Sequence, residues 1–116
     1  MRYMLLIYDA ESQWNSMSEQ EKGQLYHDYM TFTDQIKKSG HHLAGDPLQP
    51  IATATTVRVR NGKPTTTDGP FAETREQLGG YYMIKAANLD EARGIAARVP
   101  SAKFGSIEVR PIMEMG

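Results

Sequence analysis

The apolar positions fall into short blocks with two different periods. Arg2 to Tyr8, RYMLLIY, is an almost continuous apolar run with an isoleucine and two tyrosines, which predicts a buried and central strand. DAESQWNSM follows as a polar connection in which Trp14 is the only large apolar group. Ser18 then opens a Ser-x-x-Glu capping box with Glu21. Leu25, Tyr29, Phe32 and Ile36 recur at helical spacing on one face, Asp34 can pair with Lys38, and Gly40 supplies the stop.

The second half of the chain reads mostly as strands. HHLAGDPLQP predicts a short strand running into a turn at Gly45, Asp46 and Pro47. TATTVRVR alternates with the period of a half-buried strand, and Asn61-Gly62 behind it is a strong hairpin signal. KPTTT is the returning arm, with Pro64 marking a sheet edge. GGYYMIKA predicts another strand. Asn88 and Glu91 cap a short helix whose apolar face is Leu89, Ala92, Ile95, Ala96 and Val99 and which ends before Pro100. SIEVRPIM closes the chain as a last alternating strand.

This order predicts an α+β, ferredoxin-like βαββαβ plan with an inserted β-hairpin. Two helices cover one face of such a sheet, so the other face needs a partner or a layer of long side chains. The 116 residues fit one domain, spanning 1–116, and a core this small favours self-association.

Composition narrows the function classes. The net charge of −1 leaves no basic excess to hold a phosphate backbone, so no direct nucleic-acid partner is expected. There is no cysteine, which excludes disulfides, thiolate catalysis and Cys-type zinc sites. The opening apolar run stops at Asp9, too short for a signal-peptide core or a membrane span, so a cytoplasmic protein without a membrane partner is expected.

TDGPFAETREQLGGYY, together with RYMLLIY at the start and GSIEVRP near the end, resembles the YCII-related proteins of the DGPF-domain type. The likeness runs from Met1 to Met113. Asp68-Gly69-Pro70-Phe71 is a weak signature alone. It gains specificity from Glu73-Thr74, Gly79-Gly80-Tyr81-Tyr82 and Glu108-Val109-Arg110-Pro111. The resemblance implies a homodimer whose sheets pack face to face, a dimeric α/β barrel. YCII-like relatives carry a helix histidine and an aspartate that suggest an enzyme. DGPF-type relatives are also joined to sigma-factor-like domains, which suggests a role in transcription initiation. Counting back from LAGDP, the position of the family's histidine corresponds to Tyr29, and Asp68 is the counterpart of the aspartate. His27 lies two residues earlier, about 200° around the helix, and faces elsewhere.

Asp68 and Tyr29 are therefore the candidate catalytic residues. Asp68 fits two roles, a turn cap that accepts backbone N–H groups and a general base at a cleft rim. Tyr29 fits a proton donor, or a core tyrosine whose hydroxyl reaches a polar partner. Phe71, Tyr82, Arg58 and Arg110 are the candidate ligand-binding residues; Tyr81 and Tyr82 point to opposite faces of one strand. Arg58, Arg60 and Arg110 fit anion binding, cross-strand pairing or solvent exposure.

His41 and His42, with Asp46 and Asp9 as oxygen donors, raise a metal hypothesis, but adjacent strand residues point apart and no metal is expected. No phosphate loop or nucleophile elbow is present, and no cofactor is expected. The sequence thus supports a small-molecule-binding protein or enzyme with a pocket near Asp68–Phe71. The alternative is an accessory module that meets sigma-factor-dependent machinery through protein contacts.

Overall fold

The computed structural model describes residues 1–116. Its strands are β1 (Arg2–Asp9), β2 (His42–Pro47), β3 (Thr55–Arg60), β4 (Lys63–Asp68), β5 (Gln77–Lys85) and β6 (Ser106–Pro111). Its helices are α1 (Glu11–Ser16), α2 (Glu19–Lys38) and α3 (Leu89–Ala96). The main sheet is antiparallel with the order β2-β5-β1-β6, while β3 and β4 form a separate two-stranded sheet. This α+β arrangement is compatible with a ferredoxin-like fold carrying an inserted hairpin.

The best-defined sequence signals map directly onto structure. Ser18 Oγ accepts from the Glu21 amide, and the Glu21 carboxylate accepts from the Ser18 amide, so α2 begins at its capping box. It ends at Gly40, whose φ of 80° carries the left-handed conformation that closes a helix. Asn61 and Gly62, with φ of 54° and 75°, make the hairpin turn between β3 and β4.

Two segments differ from expectation: Gly45, Asp46 and Pro47, expected to turn, continue β2 in its pairing with Tyr82, Tyr81 and Gly80 of β5. The segment after β1 is not a plain connection but the short helix α1. The local pattern gives little helical signal, because the element is held by contacts with α2. Trp14 meets Tyr26 edge-on at 5.6 Å between ring centroids, and the Lys22 ammonium lies 5.2 Å from the Trp14 ring.

The core lies on one face of the main sheet. Tyr3, Leu5 and Ile7 of β1 and Tyr82 and Ile84 of β5 pack against Phe32 and Ile36 of α2 and Ala92, Ile95 and Ala96 of α3. The opposite phase, Met4 and Leu6 of β1 with Tyr81 and Met83 of β5, contributes nothing to this cluster. Arg110 and Glu108 flank it on β6 and Asp46 on β2. This open face is apolar at its centre and charged at its rim.

The β3–β4 hairpin is an arm that stands away from this body. The radius of gyration is 16.1 Å, against about 13 Å for a compact chain of this length. No helix is long and apolar enough to cross a membrane.

Candidate functional site

Asp9, Tyr29 and Tyr82, each shifted by burial, gather where β1 ends. Asp9 closes β1 in the inward phase set by Tyr3, Leu5 and Ile7, so its carboxyl turns toward the helices. Across the sheet it pairs with Gln77 of β5, beyond a bulge between Ile7 and Tyr8 in their pairing with β5. Tyr29 projects from α2. Ser101 arrives from the 3-10 turn Pro100–Lys103 that follows α3, and it is the only buried polar residue of the core. The Tyr29 and Ser101 hydroxyls lie 2.5 Å apart.

Asp9, Ser101 and Tyr29 form one electrostatic unit. Burial pushes the Asp9 carboxyl above its ordinary value; the Ser101 hydroxyl opposes that rise, and the neighbouring Glu76 and Glu11 carboxylates add to it. The Asp9–Ser101 contact falls outside ordinary hydrogen-bond geometry, so Ser101 is a near neighbour of Asp9 and the direct partner of Tyr29. Burial raises the Tyr29 phenol to about 12; Ser101 counters this, while Asp9 and then Tyr82 raise it further. The Tyr82 phenol, buried beside them, is also raised by burial and is partly offset by a 2.6 Å hydrogen bond with Thr33 of α2.

The surrounding polar groups are held in place. Glu11 accepts from the Ile51 amide at 2.9 Å, and the Glu11 amide donates to Gln77 Oε1 at 2.9 Å. Glu76 accepts from Ser106 Oγ at 2.7 Å. Both roots of the hairpin arm are therefore fastened at the Asp9 end of the sheet: Ile51 on the incoming side, Glu76 and Gln77 on the outgoing side. Nothing in this cluster resembles a metal centre, and no group of three or more His, Asp or Glu residues is arranged to hold an ion.

The sequence candidates separate into two groups. Tyr29 and Tyr82 lie in this cluster. Asp68, Phe71, Arg58 and Arg110 lie elsewhere. Asp68 ends β4 opposite Thr55, exposed, and its carboxylate accepts no hydrogen bond within the chain. The corner behind it is held instead by the Gly69 amide donating to Ala54 O at 2.7 Å and by Thr56 Oγ1 donating to Gly69 O at 2.8 Å. Phe71 is 78% exposed, and its carbonyl accepts from Arg58 at 3.3 Å. Arg110 pairs with Glu108 on the same strand.

Two surface grooves lie elsewhere on the molecule. One of about 270 Å³ lies by Met1, Ser39, His41, Lys85 and Glu91, and one of about 460 Å³ lies between α3 and β6. Both are open and neither is lined by Asp9 or Asp68. We place the candidate site on the Asp9 cluster, because the perturbed and mutually contacting groups are there.

Sequence reasoning considered Asp9 only as the end of an apolar run and as an oxygen donor to a metal, and it missed Ser101. The available signal was strand phase: an acid placed two residues beyond Ile7 continues the buried side of β1.

The raised Tyr29 phenol gives a directional expectation. A tyrosine whose native value lies above the unfolded value of 10.0 keeps its full stabilising effect below pH 10, and that effect is lost as pH rises toward about 12. Thermal unfolding between pH 9 and 12 should show this loss, and Tyr29→Phe should reduce it. An unchanged alkaline slope in the variant would contradict the assignment.

The chain matches the YCII-related domain over residues 1–116. It is also similar to an uncharacterised protein of Rhizobium meliloti (strain 1021), 37% identical over 114 residues that cover 97% of this chain and 92% of that relative. With its entire length matched and a full-length relative at this identity, the chain belongs to the YCII-related family.

Proposed function

We propose that this protein binds a small molecule at the Asp9–Ser101–Tyr29 cluster and can move a proton there. The observation that carries this reading is a half-buried carboxyl with a raised pKa, next to a buried serine hydroxyl bonded to a tyrosine that stays neutral. Such a carboxyl can hold or release a proton closer to neutral pH than an ordinary one, which suits general acid–base work. The neutral phenol serves as a hydrogen-bond donor to an oxygen or nitrogen on the ligand.

The protein acts as a homodimer in this proposal, with the open sheet faces packed together as a dimeric α/β barrel. Support comes from Met4, Leu6, Tyr81 and Met83, which share a face that no helix covers. Sedimentation equilibrium of Leu6→Lys with Met83→Lys should give a folded monomer; an unchanged dimer would remove the open face from the interface.

A thermal-shift screen of small metabolites tests the site. Compounds that stabilise the wild type should lose their effect in both Asp9→Asn and Ser101→Ala, with circular dichroism confirming that each variant folds. Hits that survive both changes would rule the cluster out as the binding site. A complete absence of hits, with sigma factors recovered in a pull-down from the native host, would favour an accessory role through protein contacts.

The same Asp9→Asn variant has a stability signature. Since the native carboxyl sits above its unfolded value of 3.8, its contribution is lost as pH rises from that value through the raised native one. The variant should therefore be the more stable protein at pH 7, and the difference should shrink toward pH 4. Urea titrations at both pH values measure it, and a variant less stable at pH 7 would contradict the raised carboxyl.

A further inference from the structure

The molecule exposes more surface than its mass requires. Its accessible area is 8129 Å², whereas a folded monomer of 13.0 kDa exposes about 6,300 Å². The surplus, about 1,800 Å², exceeds the ~800 Å² per partner of a standard interface. Four strands ~4.8 Å apart, with about six residues each rising ~3.3 Å, give one sheet face a projected area of about 400 Å². The open face of the main sheet therefore leaves much of the surplus on the rest of the molecule.

The hairpin arm carries it. A lone two-stranded hairpin is marginal in water, because it has nothing on which to bury an apolar face. Yet β3–β4 presents a coherent one. Val57 and Val59 are 60% and 59% exposed. Val59 pairs with Pro64 and Val57 with Thr66, so these residues share one side of the arm. Arg58, Arg60 and Lys63 occupy the other side, the side suited to water. The arm does not trail from the body, since both its roots are fastened beside Asp9.

We propose that the arm is an exchanged clasp: in the dimer, the Val57–Val59–Pro64 stripe of each chain lies against the second copy. This rests on the homodimer of the preceding subsection. A second copy is the occupant the observations favour, because one two-fold assembly covers both the open sheet face and two arms, and the surplus area has the size of a subunit contact. The arm's own main sheet is a poorer partner, since the hairpin projects from the body that it would have to cover.

The chain has no cysteine, so a single spin label can be attached cleanly at the arm's tip through Lys63→Cys, on the side that faces water. Labelled chains without ¹⁵N are mixed with unlabelled ¹⁵N chains, and amide broadening is read in the ¹⁵N chains. The expected result is a dimer with broadening confined to a patch of the ¹⁵N chain. Val57→Lys with Val59→Lys should raise the dimer Kd by about tenfold or more. A dimer in which the ¹⁵N chains show no broadening, or whose Kd is unmoved by the double substitution, overturns the clasp and leaves the dimer standing. A wild type that sediments as a monomer overturns the dimer and the clasp with it.

Discussion

Gly105→Ala is expected to be the most damaging single methyl group that can be added near the site. A Cβ at this position would stand 2.2 Å from the Tyr8 carbonyl oxygen, 3.0 Å from Asp9 Cβ and 3.2 Å from the Ser101 carbonyl oxygen. The nearest of these is backbone in a paired strand, so no side-chain rotation relieves the overlap. The Gly105 amide also donates to the Ser101 carbonyl at 2.7 Å, and this holds the turn that carries Ser101 tightly against the start of β6. The chain must move Tyr8, Asp9 or the Ser101 turn apart. We expect a loss of about 3 kcal/mol or more, the upper end of overpacking costs. That is a large share of the ~5–15 kcal/mol that stabilises a typical domain. Urea denaturation measures the loss directly. In whatever fraction remains folded, the Tyr29–Ser101 contact should open, seen as a later alkaline titration of that phenol, because the Ser101 contact that counters its rise is lost. A loss below about 1 kcal/mol would mean that the backbone here yields easily.

Ile36→Ala is the second large effect. Ile36 is fully buried, and together with Phe32 it seats the C-terminal half of α2 on the sheet. Truncation removes three carbons from a packed interior and leaves a cavity, for which about 2–5 kcal/mol is the usual loss. The consequence extends to the site, because the same helix carries Thr33, bonded to Tyr82, and Tyr29, bonded to Ser101. Ligand-induced thermal shifts found for the wild type should shrink in this variant even at temperatures where it is folded. A core replacement that cost stability but left those shifts intact would uncouple helix seating from site geometry.

The legible parts of the sequence were the locally determined ones. The capping box at Ser18, the apolar spacing from Leu25 to Ile36, the Asn61-Gly62 turn and the unbroken run of β1 each act within a few residues of themselves. Helix α1 was not legible, because Trp14 depends on Tyr26 and Lys22 for its packing. The candidate site was legible only by half. Tyr29 and Tyr82 were singled out, but Asp9 and Ser101 stand 92 positions apart and meet because β6 pairs directly with β1. No spacing rule spans that distance. Asp68 drew notice for the opposite reason, a dense local cluster of turn-forming residues. Those residues do build a corner, held by Gly69 and Thr56 and not by the aspartate side chain.

The bulge in β5 separates what the fold needs from what the site needs. On one side Ile7 pairs with Gly80, on the other Tyr8 pairs with Leu78, and Gly79 is the unpaired extra residue between them. Deleting Gly79 would leave every β1 partner of β5 in place, including Gln77 opposite Asp9, while straightening the strand just where it approaches the acid and removing the carbonyl that accepts the Leu48 amide at 2.9 Å. A one-residue deletion, usually ruinous within a central strand because it inverts every side chain beyond it, is here compatible with an intact sheet. It offers a way to reshape the surroundings of Asp9 without replacing a single side chain.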